Sequence, residues 1–151
     1  MAEEYKLRYE LGEAGWADVI IKSGKISHKS SVSYLHDSLK DLAQMAIDLK
    51  NGLKMSQALF MGEPGELLLV VRVENDIAFC EARWFHDWAS WGILQDTDYK
   101  VVVSGNCNVS DLVQQITNIL KDIFENVGPT KYKKLWIEHK FPVKLYKSLV
   151  E

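Results

Sequence analysis

The stretch that decides the fold is Glu66-Leu67-Leu68-Leu69-Val70-Val71-Arg72-Val73-Glu74, then Asn75-Asp76, then Ile77-Ala78-Phe79-Cys80-Glu81-Ala82-Arg83-Trp84. Two runs of strand period joined by a turn-forming Asn-Asp pair predict an antiparallel hairpin. Side-chain alternation assigns its faces. Leu67, Leu69, Val71 and Val73 share one side and Glu66, Arg72 and Glu74 the other; across the turn, Ala78, Cys80, Ala82 and Trp84 oppose Phe79, Glu81 and Arg83.

Outward from this hairpin, Glu63-Pro64-Gly65 joins it to a strand over 55–62, and a further strand over 99–104 ends at Gly105-Asn106. Tight turns between successive strands make this a meander. Near the N-terminus, 5–10 and 16–22 alternate as a second hairpin, with Leu7, Tyr9, Val19 and Ile21 inward and Lys6, Arg8, Asp18 and Lys22 outward. Ser23-Gly24 then allows a short third strand over 25–29. The period changes at 32–51, where Leu35, Leu39, Leu42, Ala46 and Leu49 fall at helical spacing, with Ser31 or Ser33 as cap and Gly52 as terminator. A second helix spans 110–127 behind Asn108 or Ser110 and stops at Gly128-Pro129. Residues 132–136 form a short turn, and Pro142 begins a terminal helical segment reaching 149.

The expected fold class is therefore α+β: an antiparallel sheet of five to seven strands, two main helices packed on one face and a C-terminal helical segment, with 1–151 as a single domain. The 151 residues, 47% of them apolar, suffice for one core. The acidic start Met-Ala-Glu-Glu lacks the pattern of an export signal, and the longest apolar run, 67–71, is far short of a bilayer span. These features point to a cytoplasmic protein without a membrane partner. A formal net charge of −3 argues against a general nucleic-acid binder. Cys80 and Cys107 have no metal-ligand spacing and read as reduced thiols, Cys80 buried and Cys107 in a turn.

No catalytic fingerprint occurs, so no catalytic residue, metal ligand or cofactor is assigned. The densest unusual segment, Arg83-Trp84-Phe85-His86-Asp87-Trp88-Ala89-Ser90-Trp91-Gly92, places three tryptophans together at the start of a long loop. Such a cluster serves either as cover for the end of the core or as contact area for a partner. Trp84, His86, Trp88 and Trp91, with Arg72 and Arg83 from the charged sheet face, are the candidate partner-binding residues. The charged face itself reads first as cross-strand ion pairs on a wet surface and second as a polar docking surface.

Glu63 and Glu66 resemble a carboxylate pair, but an exposed turn would leave both solvated. A pocket using His36, Glu63 and His86 is the small-molecule or hydrolytic alternative, and a homodimer formed through a strand edge or the aromatic segment is the structural one. Cys107 ahead of a helix is a weak nucleophile candidate. Lys131, Lys133, Lys134, Lys140, Lys144 and Lys147, interleaved with Tyr132, Trp136, Phe141 and Tyr146, form either a solvated helix face or a contact for RNA or an acidic protein.

Gly15-Trp16-Ala17, the run Ser31-Val32-Ser33-Tyr34-Leu35-His36-Asp37-Ser38-Leu39, Glu63-Pro64-Gly65-Glu66, and the late Trp136 with Phe141-Pro142 together resemble an uncharacterised family of small single-domain bacterial proteins, some of them immunity-protein-like. The resemblance spans nearly the whole chain and implies a bacterial, cytoplasmic, non-enzymatic protein whose partner is a protein, such as a toxin. It carries over no site residue.

Overall fold

A computed structural model describes residues 5–137 and 139–150. Three strands, β1 (Tyr5–Leu11), β2 (Trp16–Ser23) and β3 (Ile26–Ser33), precede α1 (Ser38–Lys50). Four more, β4 (Met55–Met61), β5 (Glu66–Glu74), β6 (Ile77–Phe85) and β7 (Lys100–Asn108), precede α2 (Val109–Asn126), α3 (Pro129–Trp136) and α4 (Val143–Val150). The class is α+β with every strand pair antiparallel, as expected. The strands divide into two sheets, ordered β1-β2-β3 and β4-β5-β6-β7. Turn chemistry predicts which neighbours pair; it does not show that pairing stops where α1 separates β3 from β4.

The alternation read from the sequence sets the faces. Tyr5, Leu7, Tyr9, Val19 and Ile21 of the first sheet and Leu67, Leu69, Val71, Ala78, Cys80 and Ala82 of the second belong to one buried cluster. The sheets touch directly, since the Tyr5 hydroxyl donates to the Val103 carbonyl at 3.1 Å. A Cβ on Gly105 would stand 2.4 Å from Ser23 Oγ and 3.1 Å from the Tyr5 ring, so a larger residue there would make Ser23 and Tyr5 give way where β7 approaches the first sheet.

The helices pack together and attend to the sheet edges. α1 lies against β4 and α2 against β1, and the two helices contact each other. The Gln115 side chain of α2 mimics a neighbouring strand: its Oε1 accepts from Leu7 N at 2.8 Å and its Nε2 donates to Tyr5 O at 2.9 Å. On the other sheet, Asp41 of α1 accepts from Leu59 N at 3.0 Å. Open strand edges invite intermolecular pairing. Here two of them are occupied by helix side chains.

Three local expectations need correction. The first helix begins at Ser38 behind an Asp37 cap, not at 32 behind Ser31 or Ser33, because Val32 and Ser33 continue β3 and pair with Ala17 and Trp16. Cys107 lies buried in β7, not in a turn. Residues 132–136 belong to the eight-residue α3, with Pro129 in its first turn.

Candidate binding surface

The period-2 register of β6 sends Trp84 and Arg83 to opposite faces. Trp84 packs against the core, with its ring 5.6 Å from the His28 ring of β3. It also lies on the turn before β5, where a Cβ on Gly65, already at φ +92°, would meet the indole at 2.6 Å. Trp84 therefore joins the two sheets. It does not share a surface with Arg72 and Arg83.

The outer face of the four-stranded sheet is more apolar than its charges suggest. The Arg72 guanidinium lies 4.9 Å over the Phe79 ring and that of Arg83 lies 4.6 Å over Tyr99. Each arginine also holds a carboxylate two residues away along its own strand, Glu74 at 2.7 Å and Glu81 at 3.0 Å. These pairs run along strands rather than across them, and solvent exposure keeps such pairs weak. What they do is help keep the guanidinium groups over the aromatic rings. Met55, Val70, Phe79, Arg72, Arg83 and Asn106 line a shallow groove of about 380 Å³ on this face.

The loop over 86–99 folds back across the end of the same face. Its single 3-10 turn, Ala89–Trp91, is anchored from below by Glu66, which is only 2% exposed. The Glu66 carboxylate accepts from both Ser90 N and Ser90 Oγ, each at 3.0 Å. The expected solvated pair at 63 and 66 is thus corrected: Glu63 is exposed, whereas Glu66 is buried as a brace. Trp88 Nε1 donates to Gly62 O at 2.8 Å, tying the loop to the opposite turn. Trp91 packs edge-on against Trp88, with centroids 4.5 Å apart, and remains 57% exposed. Ile93, whose backbone N donates to Trp88 O at 3.0 Å, is 55% exposed, and Val101 of β7 is 42% exposed. Tyr99 connects loop and sheet by touching Phe85 as well as Arg83.

Of the sequence candidates, Arg83, Trp88 and Trp91 thus lie on the outer side of the second sheet, with Arg72 further along it. Trp84 lies on the inner side, and His86 is exposed at the end of β6. Sequence reading missed Tyr99, Ile93 and Glu66. The two-residue alternation of Tyr99 with Val101 was the available signal for the first; burial of Glu66 by a returning loop leaves no local signal.

The hydrolytic alternative receives no geometric support. His36 Nε2 is 2.7 Å from Asp41, Glu63 and His86 are exposed, and no hydrogen bond or ion pair joins any two of His36, Glu63 and His86. No group of three His, Cys, Asp or Glu side chains is placed to hold a metal ion among the described residues. The Cys80 thiol is pushed well above its ordinary range, first by its hydrogen bond with Cys107 and then by burial, which opposes a thiolate there. No helix among the described residues is long and apolar enough to cross a membrane.

Comparison with known proteins gives no matching family model and no matching curated sequence. A chain in a solved structure, the CdiA-CT/CdiI toxin and immunity complex from Enterobacter cloacae, is similar over 79% of this chain and 96% of its own, at 10% identity and a TM-score of 0.43. A likeness of that degree names neither a family nor a site, and the binding reading rests on the surface itself.

Proposed function

We propose that this chain is a protein-binding module whose contact surface is the braced 86–99 loop with the outer face of the four-stranded sheet, and that its partner is a toxin domain it neutralises. The observation that carries the binding reading is the exposure of Trp91 and Ile93 on a loop held from beneath by buried Glu66. A large aromatic side chain left in water on a pre-ordered support is the arrangement that concentrates binding energy, because little conformational freedom remains to be lost on association. Arg72 and Arg83, held over rings at the margin, provide a polar rim. The toxin is the partner class implied by the family resemblance of the sequence.

The test is a two-plasmid growth assay in which each open reading frame adjoining this gene is induced with and without the chain. Rescue from a toxic neighbour, reduced by combined Trp91→Ala and Ile93→Ala substitution in a chain that still folds, is the expected result. Neighbours that are all harmless would contradict the toxin assignment, and full rescue by the variant would contradict the surface.

A further inference from the structure

The lysine-rich C-terminal segment folds into a cleft that the loop surface does not use. Pro129, Thr130, Lys133, Lys134, Ile137 and Phe141 are among the walls of a cavity of about 700 Å³ between α3 and α4. A second of about 710 Å³ continues it, sharing Lys140, Phe141 and Val143 and adding Lys40 and Lys144. The floor is apolar and the rim cationic. Lys133, Lys134, Lys140 and Lys144 are exposed, and none makes an ion pair among the described residues. Among the described residues the one carboxylate on these walls, Asp37, faces His139 Nδ1 at 3.7 Å.

Ile137 closes α3 at φ +75° and ψ −71°, a conformation that costs a β-branched residue strain, and the residue is 44% exposed at the cleft. Its Cδ1 end packs beside Gly15, and the remaining apolar surface is offered to the cleft.

We propose that the α3–α4 cleft binds an acidic amphipathic segment of a protein partner, its aliphatic ridge entering between Ile137 and Val143 and its carboxylates meeting Lys133, Lys134 and Lys140. RNA fits less well, because Tyr132, Trp136, Phe141 and Tyr146, the rings that would stack on bases, are all buried. The proposal extends the binding reading to a second surface that shares no residue with the first.

The probe is a synthetic amphipathic peptide of about 15 residues with Leu at i, i+3, i+4 and i+7 and Glu or Asp elsewhere, titrated into the isotopically labelled full chain and followed by NMR. Shifts confined to α3 and α4, an affinity that falls as salt is raised, and a more than tenfold loss in the triple variant Lys133→Glu, Lys134→Glu, Lys140→Glu are expected. Ile137→Gly relieves the strained backbone while removing the floor, so weaker peptide binding by a chain of equal or greater stability supports the cleft. Trp91→Ala is expected to leave peptide binding unchanged, which separates this result from failure of the loop surface. Equal binding of a Lys-substituted peptide, preference for oligouridylate or phosphatidylglycerol vesicles, or shifts spread over the sheets would overturn the proposal.

Discussion

The loop after β6 and the helical pair at the C-terminus draw on the same residue types and arrange them inside out relative to each other. In the loop, the tryptophan at the tip is in water and the carboxylate that braces it is buried: Trp91 is 57% exposed and Glu66 2%. In α3 and α4, Tyr132 and Trp136 are fully buried while Lys133 and Lys134 are exposed. Aromatic content alone cannot tell these cases apart. Period can. Tyr132 and Trp136 are four apart, one helical face, and so share the core side. Trp88 and Trp91 lie beyond the end of β6, where no regular period compels either ring inward.

The contrast has energetic consequences that can be broken one at a time. The largest expected effect is from Trp136→Ala, which should destabilise the fold by about 3–5 kcal/mol through loss of a buried ring, whereas Trp91→Ala should fall within about 0.5 kcal/mol of wild type; urea unfolding of both variants measures the difference. Similar losses for the two would mean that Trp91 is part of the core after all.

Next is the brace. Glu66→Ala removes the acceptor for Ser90 N and Ser90 Oγ and should cost about 1–3 kcal/mol, with faster hydrogen exchange across 86–99. Exchange unchanged in that loop would show that Trp88 and its bond to Gly62 hold it without help. Gln115→Leu should cost about 1 kcal/mol and expose the β1 edge, so size-exclusion chromatography should detect concentration-dependent association. A variant that stays monomeric would remove the edge-protection role.

The smallest effects concern pH, and two histidines pull in opposite directions. His36 is held above its ordinary value, first by its hydrogen bond to Asp41. The folded state therefore favours its protonated form: this stabilisation is full below about pH 6.5 and is lost as pH rises through the raised folded value. His28, between the sheets against Trp84, is lowered by burial. The folded state favours its neutral form, so that contribution is present above about pH 6.5 and is lost as pH falls towards the depressed folded value. Unfolding midpoints of His36→Gln and His28→Gln across this range should therefore deviate from wild type with opposite pH slopes.

Much of the architecture was legible because alternation is a local property. The inward sets Leu67, Leu69, Val71 and Ala78, Cys80, Ala82 follow directly from it. Its failures are places where distant chain segments decide. Residues 32–35 read as the start of the first helix, and pairing with β2 makes them strand up to Ser33. The separation into two sheets, the cover over Glu66 and the pairing of Tyr99 with Arg83 all depend on contacts between segments that no short window contains. Of the candidate surface, the tryptophan cluster was visible in the sequence. That Trp84 leaves it for the core follows from the register of β6, which had already grouped Trp84 with Ala82 and Cys80.

The central claim is that the braced aromatic loop is where this chain meets its partner. Its most direct measurement is the dissociation constant for the product of whichever adjoining gene proves toxic in the growth assay, by calorimetry, with the wild-type chain and with the Trp91→Ala, Ile93→Ala variant. A weakening of about 30-fold or more, the loss of a hot spot of about 2 kcal/mol, with an unchanged unfolding midpoint is the expected result. Equal affinity of the two chains would contradict it.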